Sequence, residues 1–204
     1  MATTKGCRTA SGIVLAIAVA VGAAPLVGQS AQLRPPPGAS GYKAPVISDT
    51  GALPGPRQPI FFRHDIHAGQ DQIPCMYCHS TVAVSSEPGI PALRTCIGCH
   101  QIIGGSTPAH QAEIAKVRKA WSDKQPPEWI RVYWVPEFVR FPHMRHIKGL
   151  GEKTPGGGSA TCTLCHGDVQ RMPQVYRVES LKMGWCIRCH VQRKVSRDCT
   201  VCHY

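Results

Sequence analysis

Five copies of Cys-x-x-Cys-His run through this chain: Cys75–His79, Cys96–His100, Cys162–His166, Cys186–His190 and Cys199–His203. The spacing is that of covalent attachment of c-type haem. Two thiols add across the porphyrin vinyl groups, and the histidine that follows supplies the proximal iron ligand. The five copies use ten of the 11 cysteines and five of the 10 histidines, which excludes accident. Zinc binding by the cysteine pairs fits poorly, because each pair is followed by His at one fixed spacing. The expected cofactors are therefore five haem c groups. Cys75, Cys78, Cys96, Cys99, Cys162, Cys165, Cys186, Cys189, Cys199 and Cys202 would hold them, with His79, His100, His166, His190 and His203 as proximal ligands.

The sixth position on each iron decides what chemistry follows. An open site suggests catalysis or gas binding, whereas a filled one means electron transfer. Five further histidines are available: His64, His67, His110, His143 and His146. His64 and His67 stand three apart, as do His143 and His146, so each pair points one way from a single turn. Single histidines of this kind usually lie on a surface; two matched pairs beside attachment motifs argue for ligation. Sequence order suggests His64 for haem 1, His67 for haem 2, His143 for haem 3 and His146 for haem 4, with exchange inside each pair open. Haem 5 is left with Met183, Met172 or His110. A methionine more often fills a core, but Met183 stands just before the fourth motif and is the preferred ligand.

Those residues need elements to position them. The chain has 204 residues, enough for about one or two domains. Only 6% are aromatic, while Gly (20) and Pro (18) abound, so a protein-only core would be poor. The expected fold is mostly loop and short α-helix wrapped round covalent haems, with little β-structure. Residues 60–107 read as a dihaem module and 141–204 as a trihaem module. Each opens on an aromatic-x-His-x-x-His element, Phe62 to His67 and Phe141 to His146. The longer second gap contains a glycine run, residues 153–160, expected to be a loop.

Between the modules, residues 108–140 should hold one helix, about Pro108 to Ser122, with Ile114, Val117 and Trp121 on its apolar face. An extended aromatic strip, residues 129–140, follows it. That strip is expected to pack between the modules, against another subunit, or both. Residues 32–59 read as a Pro/Gly-rich tether, extended unless a partner orders it. Residues 1–31 carry Lys5 and Arg8 before an apolar run, so they read as a signal peptide or an N-terminal membrane anchor. Either places the haem-bearing part outside the cytoplasm, on the periplasmic side of the membrane.

The formal net charge of +11 would ordinarily point to nucleic acid or an anionic surface. Haem changes that sum: each ferric haem with ionised propionates adds about −1 and each ferrous one about −2, which brings the holoprotein to roughly +6 or +1. No nucleic-acid motif accompanies the charge.

Two families resemble these segments. Residues 141–204 are similar to the cytochrome c3/c7 class of multihaem cytochromes, which implies a c7-like C-terminal module. That likeness implies that the first His of the pair serves the first haem and the second His the next. The residue just before the second motif would serve the last, which here falls at Met183. Residues 58–204 resemble the pentahaem cytochrome c subunit of alternative complex III. The carrying segments are 58–69 (QPIFFRHDIHAG), 73–80 (IPCMYCHS), 89–100 (GIPALRTCIGCH), 129–132 (WIRV) and 181–190 (LKMGWCIRCH). That resemblance implies an electron-transfer subunit, not itself an enzyme, on the periplasmic face of a quinol-oxidising membrane complex. Its partners would be membrane and iron–sulfur subunits, with a soluble cytochrome or oxidase as acceptor. The alternative is a free-standing carrier or polymeric haem wire. A multihaem nitrite-converting enzyme would typically add a Cys-x-x-Cys-Lys motif, and this chain has none.

Overall fold

The structure is a computed structural model that describes residues 42–47, 51–151, 153–154 and 158–204. The export segment lies outside these residues. Among the described residues no helix is long and apolar enough to cross a membrane.

Among the described residues seven α-helices carry the fold: α1 (Cys75–Cys78), α2 (Leu93–His100), α3 (Pro108–Ser122), α4 (His143–Gly151), α5 (Gly158–His166), α6 (Met183–Arg193) and α7 (Cys199–Cys202). A π-helical turn, Asp65–Gln70, and two 3₁₀ turns, Ser80–Ala83 and Val169–Arg171, link them. No strand occurs among the described residues, only an isolated bridge between Val139 and His203. The expected loop-and-helix architecture is therefore what is found.

Each attachment motif forms, or ends within, a helical turn. The reason is geometric: three and four residues along a helix return to the same side. The turn in α1 closes with His79 N–H donating to the Cys75 carbonyl at 2.9 Å, and α7 closes likewise from His203 to Cys199 at 2.9 Å. Two thiols and an imidazole thus emerge together.

Helix α3 has the expected bounds for capping reasons. Thr107 accepts from the His110 amide at 3.2 Å and Pro108 occupies the first turn. Its inward face is Glu113, Ile114, Val117 and Ala120; Trp121, expected there, is 43% exposed. The helix packs on α2. Arg118 binds the end of α2, with Nε donating to the His100 carbonyl at 2.7 Å. The Glu113 carboxylate accepts the Phe61 amide at 2.9 Å.

The two halves interlock. The turn Asp65–Gln70 packs on Val169–Arg171, α1 packs on α5, and α4 packs on Ser80–Ala83. Gly69 sits so close to Gln170 that an added Cβ would lie 2.2 Å from its carbonyl oxygen, so only glycine permits that approach.

Two expectations need correction. The described part of the 32–59 segment is not a tether waiting for a partner. Gln174 donates to the Gly55 carbonyl at 2.8 Å and the Pro54 carbonyl at 3.2 Å. Gln58 and Ile130 exchange two hydrogen bonds, at 2.9 and 2.8 Å. Arg63 donates to the Pro45 carbonyl at 2.8 Å. Backbone carbonyls found side-chain donors more than a hundred residues away, which a composition reading cannot show. The glycine run also stops early as a loop, since Gly158, at φ +44, begins α5.

Candidate haem-attachment sites

The two aromatic-x-His-x-x-His elements repeat in three dimensions. Phe62 meets the His64 ring edge-on (4.7 Å between centroids, 86°) and stacks on His67 (4.4 Å, 27°). Phe141 meets His143 and His146 in the same way, at 4.8 Å and 84°, then 4.1 Å and 22°. One aromatic ring therefore fixes the angle between two imidazoles in both copies.

Backbone carbonyls fix the ring faces. Nδ1 of His67 lies 2.8 Å from the Arg63 oxygen, and Nδ1 of His146 lies 3.0 Å from the Pro142 oxygen, the same four-residue step back. Nδ1 of His143 faces the Ser86 carbonyl at 3.2 Å, His100 the Ile103 carbonyl at 3.2 Å, His79 the Gly89 carbonyl at 3.4 Å and His190 the Ser196 carbonyl at 2.6 Å. A carbonyl at Nδ1 holds the proton there and leaves Nε2 as the free metal-binding nitrogen. His110 differs, since its Nδ1 faces the Ser106 hydroxyl at 3.3 Å.

The sequence-predicted ligands come together in pairs. The His67 and His100 centroids are 5.9 Å apart, and those of His146 and His190 6.2 Å apart. An imidazole nitrogen binds a transition metal at about 2 Å, so two rings on opposite sides of one ion sit about 6 Å apart, centre to centre. His64 lies within electrostatic reach of His79, and His143 of His166. Burial, aided by His79 and His67, pushes His64 down to about 4, which leaves it neutral and free to ligate. Its buried Nδ1 has no partner. Burial also lowers His67, His143 and His166.

The fifth site is less complete. His203 stacks at 5.9 Å on Phe138. Met183 is 63% exposed at the start of α6, one turn before Cys186, whose thiol faces Cys202. Met172, the other candidate, is buried beside Gly167 and serves as packing. His110 stands on the first turn of α3, which packs on the second site.

Some contributors had no readable signal. Tyr133 lies edge-on to His166 at 4.5 Å and 72°. Its hydroxyl donates to the Tyr176 carbonyl at 3.1 Å and accepts the Val178 amide at 3.3 Å. The aromatic strip marked the region, but not this residue. Tyr133→Phe is expected to lower holoprotein stability by about 1–2 kcal/mol while the third site's visible spectrum stays unchanged. Thermal unfolding followed at the haem absorption checks this; an unchanged melting curve would mean that the hydroxyl holds nothing. Arg63 and Asp65 form a buried ion pair beside the two distal histidines, with Tyr42 donating to Asp65 at 3.4 Å. Their only trace in the sequence is two opposite charges flanking His64.

These residues fit c-type haem. The paired imidazoles are spaced for an ion between them, and the ten motif thiols are free of disulfides. Among the described residues only Ile60, Ile97 and Met172 are buried apolar side chains, so the interior lacks the bulk that porphyrin faces would supply.

No family model matches the chain. It is similar to the multiheme cytochrome c subunit of menaquinone reductase from Nitratidesulfovibrio vulgaris, at 28% identity over 163 residues. The match covers 72% of this chain and 76% of that protein. The likeness supports a multihaem c-type cytochrome, in keeping with a helical, loop-rich fold.

Proposed function

We propose that this chain is a pentahaem c-type cytochrome that relays electrons as the periplasmic subunit of a quinone-linked membrane complex. The observation that carries the reading is the placing of His67 5.9 Å from His100 and of His146 6.2 Å from His190, centre to centre, each a histidine from an aromatic-x-His-x-x-His element against the histidine of an attachment motif. Haem supplies reversible one-electron chemistry, and the protein supplies ligands, orientation and local charge. A distal imidazole set by Phe62 or Phe141 and a proximal one from the motif would keep a bound iron six-coordinate in both oxidation states, so little would move when an electron arrives. No ligand position would be left for a substrate at such sites, which favours relay over turnover. At the fifth site Met183 is the proposed sixth ligand. Methionine ligation raises the potential relative to two imidazoles, which would set that site apart.

The relative's name places it in a menaquinone reductase. The finer reading, a quinol-oxidising alternative complex III with iron–sulfur and membrane subunits as partners, rests on the resemblance over residues 58–204. Both readings tie this chain to a quinone-linked complex; the membrane's outer face is what the resemblance over residues 58–204 implies. Mild detergent extraction, native gel electrophoresis with haem staining and mass spectrometry of the band test it. Five haem adducts on this chain, in a band shared with membrane and iron–sulfur subunits, is the expected result. A lone or self-associated soluble species would replace this reading with a free carrier or haem wire.

A further inference from the structure

The sequence numbers the attachment sites one to five, and the simplest electron path would follow that order. The contacts between sites do not. Cys78 of the first site interacts with Cys99 and Cys96 of the second. On its other side the first site meets the third: the Cys75 sulfur lies 3.4 Å from the Ser159 hydroxyl on α5, the helix that carries Cys162. His79 also lies within reach of His166. The third and fourth sites share α4, where His143 and His146 stand one turn apart and His146 lies 6.2 Å from His190, centre to centre; Cys165 is within electrostatic reach of Cys186, and Cys186 of Cys202 in the fifth site. The backbone agrees, because α1 packs on α5. The His143 and Met144 amides donate to the Ser86 and Ser85 carbonyls at 3.2 Å each, just past the first motif.

We infer that the five attachment sites form one unbranched row in the order second, first, third, fourth, fifth, with the crossing between the two halves made at Cys75, Ser159 and Cys162. This rests on the haem-relay reading and adds its route. The second and fifth sites become the two ends of the row, where partners exchange electrons. The first site, although nearest the N-terminus, becomes an obligatory interior step. The two halves join through the thioether edges of their first motifs, since both opening cysteines, Cys75 and Cys162, face each other.

The order is testable by making single sites magnetically silent. His64→Met, made in the full-length haem-loaded protein, replaces the first site's distal imidazole by a thioether and raises that site's potential. At a poise where only the two methionine-ligated sites, the first and the fifth, are reduced, both are diamagnetic, while the second, third and fourth remain ferric. Electron paramagnetic resonance is then expected to show one ferric centre, the second, without spin coupling, and the third and fourth still coupled to each other. His67→Met, which silences the second site, is expected to isolate none. The reverse pattern, with His67→Met isolating one centre and His64→Met isolating none, would overturn the order. If either variant fails to accumulate or to change its potential, iron positions from anomalous X-ray scattering of the unmodified protein decide. The iron of the first site must be nearer that of the third than the iron of the second is. Failure of the underlying reading looks different: the unmodified chain would carry fewer than five haems by mass, or lack low-spin ferric signals.

Discussion

Made without haem attachment, the chain is expected to show no cooperative thermal transition and to be digested rapidly, whereas the loaded protein resists. Ordering a residue's backbone costs about 1–2 kcal/mol, and a fully buried aliphatic side chain returns about 1.5–3 kcal/mol. Among the described residues only Ile60, Ile97 and Met172 make that return. Tyr77, Leu164 and Val201, inside the attachment motifs themselves, stay 60%, 43% and 42% exposed to solvent in the protein alone. Helices of four residues, such as α1 and α7, do not persist by themselves. On the proposed haem reading, the burial that stabilises this fold comes from porphyrin faces. Circular dichroism and limited proteolysis of chain produced in a host without the attachment machinery check this. A sharp melting transition there would show that the polypeptide has a core of its own.

Asp65→Asn is expected to be the most damaging single change outside the attachment motifs, at about 3–5 kcal/mol. Asp65 is completely buried and accepts from Arg63 Nε at 2.8 Å, and from a second guanidinium nitrogen. Neutralising it leaves the guanidinium buried without its counter-charge, the situation in which breaking a buried pair costs most. The damage should be local. Arg63 supplies the carbonyl that holds His67 Nδ1, so the distal ligands of the first two sites loosen together. In the second half, Pro142 and Met144 stand at the matching positions, and the carbonyls of Ser86 and Pro142 do the holding. The expected signature is a high-spin ferric component from two haems of five, with a lowered melting temperature. The double change Arg63→Met with Asp65→Leu removes both charges and should recover most of the stability. If Asp65→Asn melts like the unmodified protein, the pair is not what orders the His64–His67 turn.

The chemistry was legible because it is local. Attachment needs two thiols and an imidazole three and four residues apart, and a distal pair needs two histidines on one turn. Such relations are written directly in the order of residues. Helix α3 was legible for the same reason, through the apolar period of Ile114 and Val117, although Trp121 lies exposed; the Thr107 cap was not read from the sequence. The aromatic strip after it was legible as an extended segment; that Tyr133 is the residue seated on His166 was not. Nor was the docking of residues 51–59, held by Gln174 across a separation of 119 to 121 residues. The burial of Asp65 depends on what packs over it, including Tyr42 and the carbonyl of Pro45. The same applies to the juxtaposition of Cys75 with Cys162. Periodicity specifies which face a residue takes within its own element. Which faces meet is decided by packing between elements, and neither the spacing nor the composition places elements that lie this far apart in the chain.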